Sequence, residues 1–402
     1  MLNKTAKISM PTTTTTTTTS FIQLCVHFYA ILGFPVQQRV RWRDASKYER
    51  CTTFLLLVYN LLIGAMVVWS FFLGDAFVNK DYTFVDTEKD NNNNNPESIF
   101  TSLASKPLLL MLLKINYYYN YPMSYPIVQG YLLFAGPPLV RQLLKAERLL
   151  QASKTQNNVA IISRPKRTFA LVVLTLSLLF LSGFYQILLQ YDGLFRCCPL
   201  AAAANATSLY ISLMSSLLPV GVLLYMLTSS VRLLLAILKE VRTEQNDCQA
   251  SAVKQQIRSL SRVSVAVYRL ISLPLSLFLL SSALDTMVTI CVVGYVSIYG
   301  ILAYVLAIIG LLFYVCHLGV RVKQLLRMVT VERCSSKDSL LQIETDDTAT
   351  SKQQSLQMNE LEAVYGDRLQ VRLFEVLSLD SRTLLRMFLF LLNYSILIMQ
   401  TK

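Results

Sequence analysis

The sequence predicts an all-α membrane protein of seven transmembrane helices, with the N-terminus cytoplasmic and the C-terminus extracellular. Three observations carry that prediction. Of 402 residues, 53% are hydrophobic and 15% charged, and the apolar residues come in long blocks rather than periodic stripes, as in chains that cross a bilayer. Seven blocks approach the roughly 20 residues that a crossing needs: Phe54–Leu73, Ile115–Pro137, Thr168–Gln190, Ser208–Val231, Leu270–Ile290, Ser297–Gly319 and Leu384–Gln400. Basic residues then fix the orientation, because Lys and Arg accumulate in cytoplasmic loops. With the N-terminus inside, segments 1–53, 141–167, 232–269 and 321–386 hold 7, 7, 7 and 10 of them, 31 of the 37 in the chain. The outer side keeps Lys80, Lys89, Lys106, Lys114, Arg196 and Lys402.

The cytoplasmic N-terminal segment, 1–53, opens with a Thr tract at 12–19 that cannot build a core. Its apolar run Phe21–Val36 is short, carries Gln23 and His27, and lacks a small-residue cleavage site behind a basic region. It predicts a cytoplasmic or interfacial helix ending at Pro35. Residues 54–320 hold the first six spans. The loop after the first span is acidic, with Asp75, Asp81, Asp86, Glu88, Asp90 and Glu97 beside the Asn tract at 91–95. In the second span Pro122, Pro126, Pro137 and Pro138 read as interruptions. Asn205-Ala206-Thr207, a glycosylation acceptor, falls in the outer loop after the third span.

Residues 321–383 form a further cytoplasmic segment. A polar insert from about Cys334 to Asn359 precedes Leu361, Val364, Tyr365, Leu369, Leu373, Val376 and Leu377, which fall at helical spacing and predict an amphipathic helix. Ser378-Leu379-Asp380-Ser381 offers a break and an N-cap. The last helix is thus expected as a cytoplasmic half followed by a spanning half at 384–402.

The net charge of +13 does not indicate nucleic-acid binding, since the basic residues flank the spans one loop at a time as insertion alone requires. Eight cysteines form no C-x-x-C metal pattern. A bridge from Cys197 or Cys198 to Cys291, all at the outer side, is left open beside free thiols. His27 and His317 stand apart, without the paired acid or second His of a catalytic cluster, so neither a metal, a cofactor nor an enzyme activity is expected.

The last span carries two amides, Asn393 and Gln400, seven residues apart and so on one helix face with Arg386. An amide in hydrocarbon costs free energy without a partner. A polar stripe on an apolar span faces water or a protein interior, which leaves two readings: a pore wall, or amide bonding between neighbouring helices.

Asn393-Tyr394, five residues, then Gln400-Thr401 resembles the signature that closes insect gustatory receptors, Thr-Tyr, five apolar residues, Gln-Phe. Tyr394 and Gln400 keep the spacing, while Asn393 stands for Thr and Thr401 for Phe. Asp380-Ser381-Arg382 before an apolar helix, Leu32-Gly33-Phe34-Pro35, the chain length and the inside N-terminus also look like that family. The resemblance implies a tetrameric ligand-gated cation channel in the plasma membrane of a sensory neuron, homomeric or built with related receptors and opened by a small-molecule tastant. The four last helices would surround the pore, lined by Asn393, Tyr394, Ile396, Leu397 and Gln400.

A receptor of this kind needs an outer cavity. Asp285 is an acid inside the fifth span, about one turn from its outer end, and an intramembrane carboxylate is a functional candidate by default; Lys114 is a candidate partner. Tyr117, Tyr121 and Tyr125 supply phenols that suit flat or sugar-like ligands, or an interfacial belt. Tyr185, Gln186, Tyr295 and Tyr299 complete the candidate set. An insect odorant receptor shares the inverted layout and is the nearest alternative. A G-protein-coupled receptor would place its N-terminus outside and carry N-P-x-x-Y in the seventh span, which is absent here.

Overall fold

The computed structural model describes residues 21–31, 47–84, 107–108, 111–112, 121–152, 170–171, 174–175, 178, 199–243, 249–293, 299–341, 372–373, 377–378 and 380–400. Its helices are α1 (Phe21–Ile31), α2 (Lys47–Phe84), α3 (Tyr121–Ala152), α4 (Pro199–Thr243), α5 (Gln249–Val293), α6 (Tyr299–Leu341) and α7 (Ser381–Gln400), with two-residue strands β1 (Arg372–Leu373) and β2 (Leu377–Ser378). By length and composition, helical stretches at 217–239, 255–291, 305–329 and 381–398 can cross a membrane, and a shorter apolar stretch occupies 50–66. Residues of the expected third span at 170–171, 174–175 and 178 are helical.

α4 is the central helix. It packs on α2, α3, α5 and α6, α3 also packs on α5, and α1 lies against α3. Leu223, Met226, Leu227 and Leu234 of α4, Leu132 and Leu139 of α3 and Val267 and Ile271 of α5 are buried in one core with Val315 and Leu326 of α6. Four hydroxyls inside these helices bond one turn back along their own backbone. Ser230 Oγ donates to the Met226 carbonyl (2.8 Å), Thr228 to Leu224 (2.7 Å), Ser276 to Ser272 (2.8 Å) and Thr286 to Ser282 (2.7 Å). That satisfies groups which apolar surroundings would otherwise penalise.

Three expectations change. The prolines do not interrupt the second span: α3 runs through Pro126, Pro137 and Pro138 and begins later, and ends later, than Ile115–Pro137. Proline removes a donor and crowds the preceding turn, but a helix packed on four neighbours tolerates that loss. The amphipathic helix does not extend over 372–378. There β1 and β2 pair antiparallel, Arg372 opposite Ser378 and Leu373 opposite Leu377, and β1 lies on α5. A short apolar run at mixed spacing satisfies a strand as well as a helix, and tertiary contact decides; residues 361–371 lie outside the described residues. Lastly, Asn205 stands within α4 rather than in a loop.

Within the apolar run Phe21–Val36, α1 is an 11-residue helix, too short to cross, and Pro35 lies outside the described residues. Tyr59 of α2 donates its hydroxyl to the Ile31 carbonyl at the end of α1 (2.7 Å), supplying a partner to a terminal carbonyl that has none within its helix. His27 Nδ1 donates to the Gln23 carbonyl one turn earlier (2.6 Å), a local helix bond.

Candidate functional site

α7 begins where the sequence places its cap. The Asp380 carboxylate accepts the Thr383 backbone N–H at 2.7 Å, and its carbonyl accepts the Leu384 N–H at 3.0 Å, so the aspartate supplies an acceptor to the exposed first turn. The bond from the Thr383 backbone holds the Asp380 carboxyl below the ordinary carboxylate range, with help from the Thr383 side chain and from Arg382.

From that start α7 lies on α5, with a lesser contact to α6. Its packed face is narrow. Leu384 and Ser395 are buried and Met387, Phe388, Leu391 and Ile398 half-buried. Ser395 donates its hydroxyl to the Leu391 carbonyl (2.8 Å), leaving its own carbonyl to accept the thiol of Cys291 on α5 (3.7 Å). This contact joins the C-terminal parts of the two helices, so they run in the same direction. Cys291 is a free, fully buried thiol. The outer disulfide considered for it therefore does not form; its sulfur is turned into the α5–α7 seam.

The opposite face of α7 is uncovered. Arg386, Asn393 and Gln400 are exposed, and so are Tyr394, Ile396 and Leu397. At ~100° per residue, Leu384 and Ser395 lie about 180° and 200° round the helix from Asn393. The polar stripe therefore points as far from the packed seam as the helix allows. Tyr394 stacks on Phe390, ring centroids 4.4 Å apart. Only 17% of the 381–398 stretch is buried, against 67%, 56% and 44% for those of α4, α5 and α6.

The outer-cavity candidates are less completely placed. Asp285 is half-buried on α5 and is not without a partner, so it is no lone carboxylate. Tyr299 opens α6, six residues beyond the end of α5, which brings it to the same end of the bundle as Asp285. Tyr121 and Tyr125 stand in the first turns of α3. Tyr117, Tyr185, Gln186, Tyr295, Lys114, Cys197 and Cys198 lie outside the described residues.

Two arrangements escaped the sequence. Ser395 is one, although its place two residues off the amide stripe puts it on the opposite, packing face. Between α2 and α3, buried Gln129 donates its side-chain amide to the Asn60 carbonyl, and the absent Cβ of Gly64 makes room for it: a Cβ there would meet Gln129 Oε1 at 2.5 Å. The signal was two amides and a glycine within spans.

Most of the chain superposes on solved structures. The insect olfactory receptor OR5 from Machilis hrabei matches with a TM-score of 0.59 at 14% identity, over 95% of this chain and 100% of that one. The chain has the fold of an insect olfactory receptor. The same receptor in complex with eugenol matches with a TM-score of 0.61 at 12% identity, covering 95% of this chain and 98% of that one. No family model matches the sequence, and no curated protein matches it. The olfactory-receptor fold places the one-sided α7 in an architecture shared along nearly the full length of both chains.

Proposed function

We propose that this chain is a chemosensory receptor of the insect type, a tetrameric ligand-gated cation channel of the plasma membrane opened by a small molecule. It crosses seven times with the N-terminus inside. The observation that carries the reading is α7, an apolar helix held by one side whose amides point away from the bundle. Amides turned toward lipid would stand unsatisfied; four copies with this face on a common axis give them one another and water. Gln400 then forms an outer ring and Asn393 a second about 10 Å further in, with Ile396 or Leu397 between them as an apolar collar that closes by dewetting. Ligand opens the collar by binding the splayed arrangement more tightly. The helix offers no ring of acids, so selection among monovalent cations is weak.

The C-terminal spacing of Tyr394 and Gln400 favours a gustatory role. The fold match to an olfactory receptor, one structure of which holds eugenol, favours an odorant role as the second reading. Expression of the chain alone in a heterologous cell, with sugars, bitter alkaloids and eugenol applied in turn, separates the two by which class evokes current. Asn393→Leu and Gln400→Leu are expected to change unitary current or ion selectivity, while Ile398→Val, on the packed side, leaves both unchanged. Asp285→Asn is expected to move the dose-response at normal surface level, as a cavity residue would. If both amide variants conduct like the parent, α7 is a packing helix and the channel reading fails.

A further inference from the structure

The stripe on α7 has a third polar layer, and it is charged. Arg386 stands seven residues before Asn393, about 10 Å toward the cytoplasmic end of the same face. It is exposed, and no ion pair to it forms among the described residues. Asp380, the acid nearest in sequence, directs its Oδ1 to the Thr383 N–H and has Arg382 as its charged neighbour. The guanidinium thus projects from the side of α7 that the bundle leaves open, and among the described residues no carboxylate pairs with it.

We propose that Arg386 sets the current–voltage shape and the discrimination against divalent cations, as a ring of four positive charges at the inner mouth of the conduction path. The inference rests on the pore reading of α7. A positive potential of about 1 kT at the mouth lowers the local concentration of monovalent cations about 2.7-fold and that of divalent cations about 7-fold. Cations entering from the cytoplasm meet this ring first, whereas those entering from outside meet the neutral amides of Gln400. Inward current therefore exceeds outward current, and calcium permeates poorly. A lipid-facing Arg386 would instead extend its head to lipid phosphates, and its charge would leave the shape of the current untouched.

The test needs no stimulus if the collar is made polar. Leu397→Asn in the full chain, with Ile396→Asn as a second background should the first fail to reach the surface, is expected to leak cations without ligand. In that background Arg386→Gln is expected to raise outward relative to inward current about threefold and to increase calcium permeability, while Arg386→Lys keeps the parental shape. Shape is independent of how many channels reach the surface, so a change in expression does not imitate the result. An unaltered current–voltage curve in a leaking Arg386→Gln channel overturns this inference and leaves the pore standing. Absence of any leak from either polar-collar chain at normal surface level overturns the pore reading, and this inference with it.

Discussion

An aspartate that caps a helix does so best as a carboxylate, and Asp380 is held in that form by the Thr383 N–H. A carboxyl depressed in the folded state contributes stability that is fully present above its unfolded value of about 3.9 and is lost as pH falls through the folded value. Asp380→Ala is expected to weaken the start of α7 by about 1 kcal/mol at neutral pH, and Asp380→Asn by less, since asparagine also caps. Thermal midpoints of the purified chain in detergent check this. The gap between parent and alanine variant should be full at pH 7 and narrow below about pH 4. This cap was legible because Asp380 stands between a break and an apolar run, a local pattern. The Cys291–Ser395 contact was not, because nothing local specifies which of two residues 104 apart will meet.

At the scale of elements, α2 and α3 are joined through Gln129, the Asn60 carbonyl and the gap at Gly64. Gly64→Ala forces Gln129 to move and breaks its bond, at a cost of about 1–3 kcal/mol in a packed interior. Adding Gln129→Ala to Gly64→Ala is expected to recover part of the loss, a non-additivity that a double-mutant cycle on detergent melting measures. The apolar blocks announced α4, α5, α6 and α7 because a bilayer demands length and hydrophobicity, both local properties. Pro126, Pro137 and Pro138 misled because their cost is set by the neighbours of α3 rather than by α3 itself. The 372–378 hairpin misled for a related reason: Leu373 and Leu377 fit one helical face, yet they sit opposite each other in a pair of strands against α5.

For the whole molecule, the distribution of Lys and Arg carries the orientation, and epitope tags at the two ends test it. The N-terminal tag is expected to stain only after permeabilisation and the C-terminal tag on intact cells; the reverse pattern would remove the topology and the channel reading together. The olfactory-receptor fold covers 95% of the chain, and the inverted seven-span layout expected from charge is what the tags decide. What the sequence left dark is whether Asp285 and the candidate tyrosines share a cavity, since convergence in space leaves no periodic trace along a chain.

The narrow seam between α7 and α5 makes α7 a lever. A helix about 10 Å across, held along one side, carries its far side through nearly 2 Å for every 10° that it pivots about the held line. The contact of Ser395 with Cys291 lies on that line, and the amides lie at the end of the arm. A rearrangement too small to unpack α5 is thus multiplied across the width of α7, and on the pore reading four arms moving together widen the collar by about twice the travel of one.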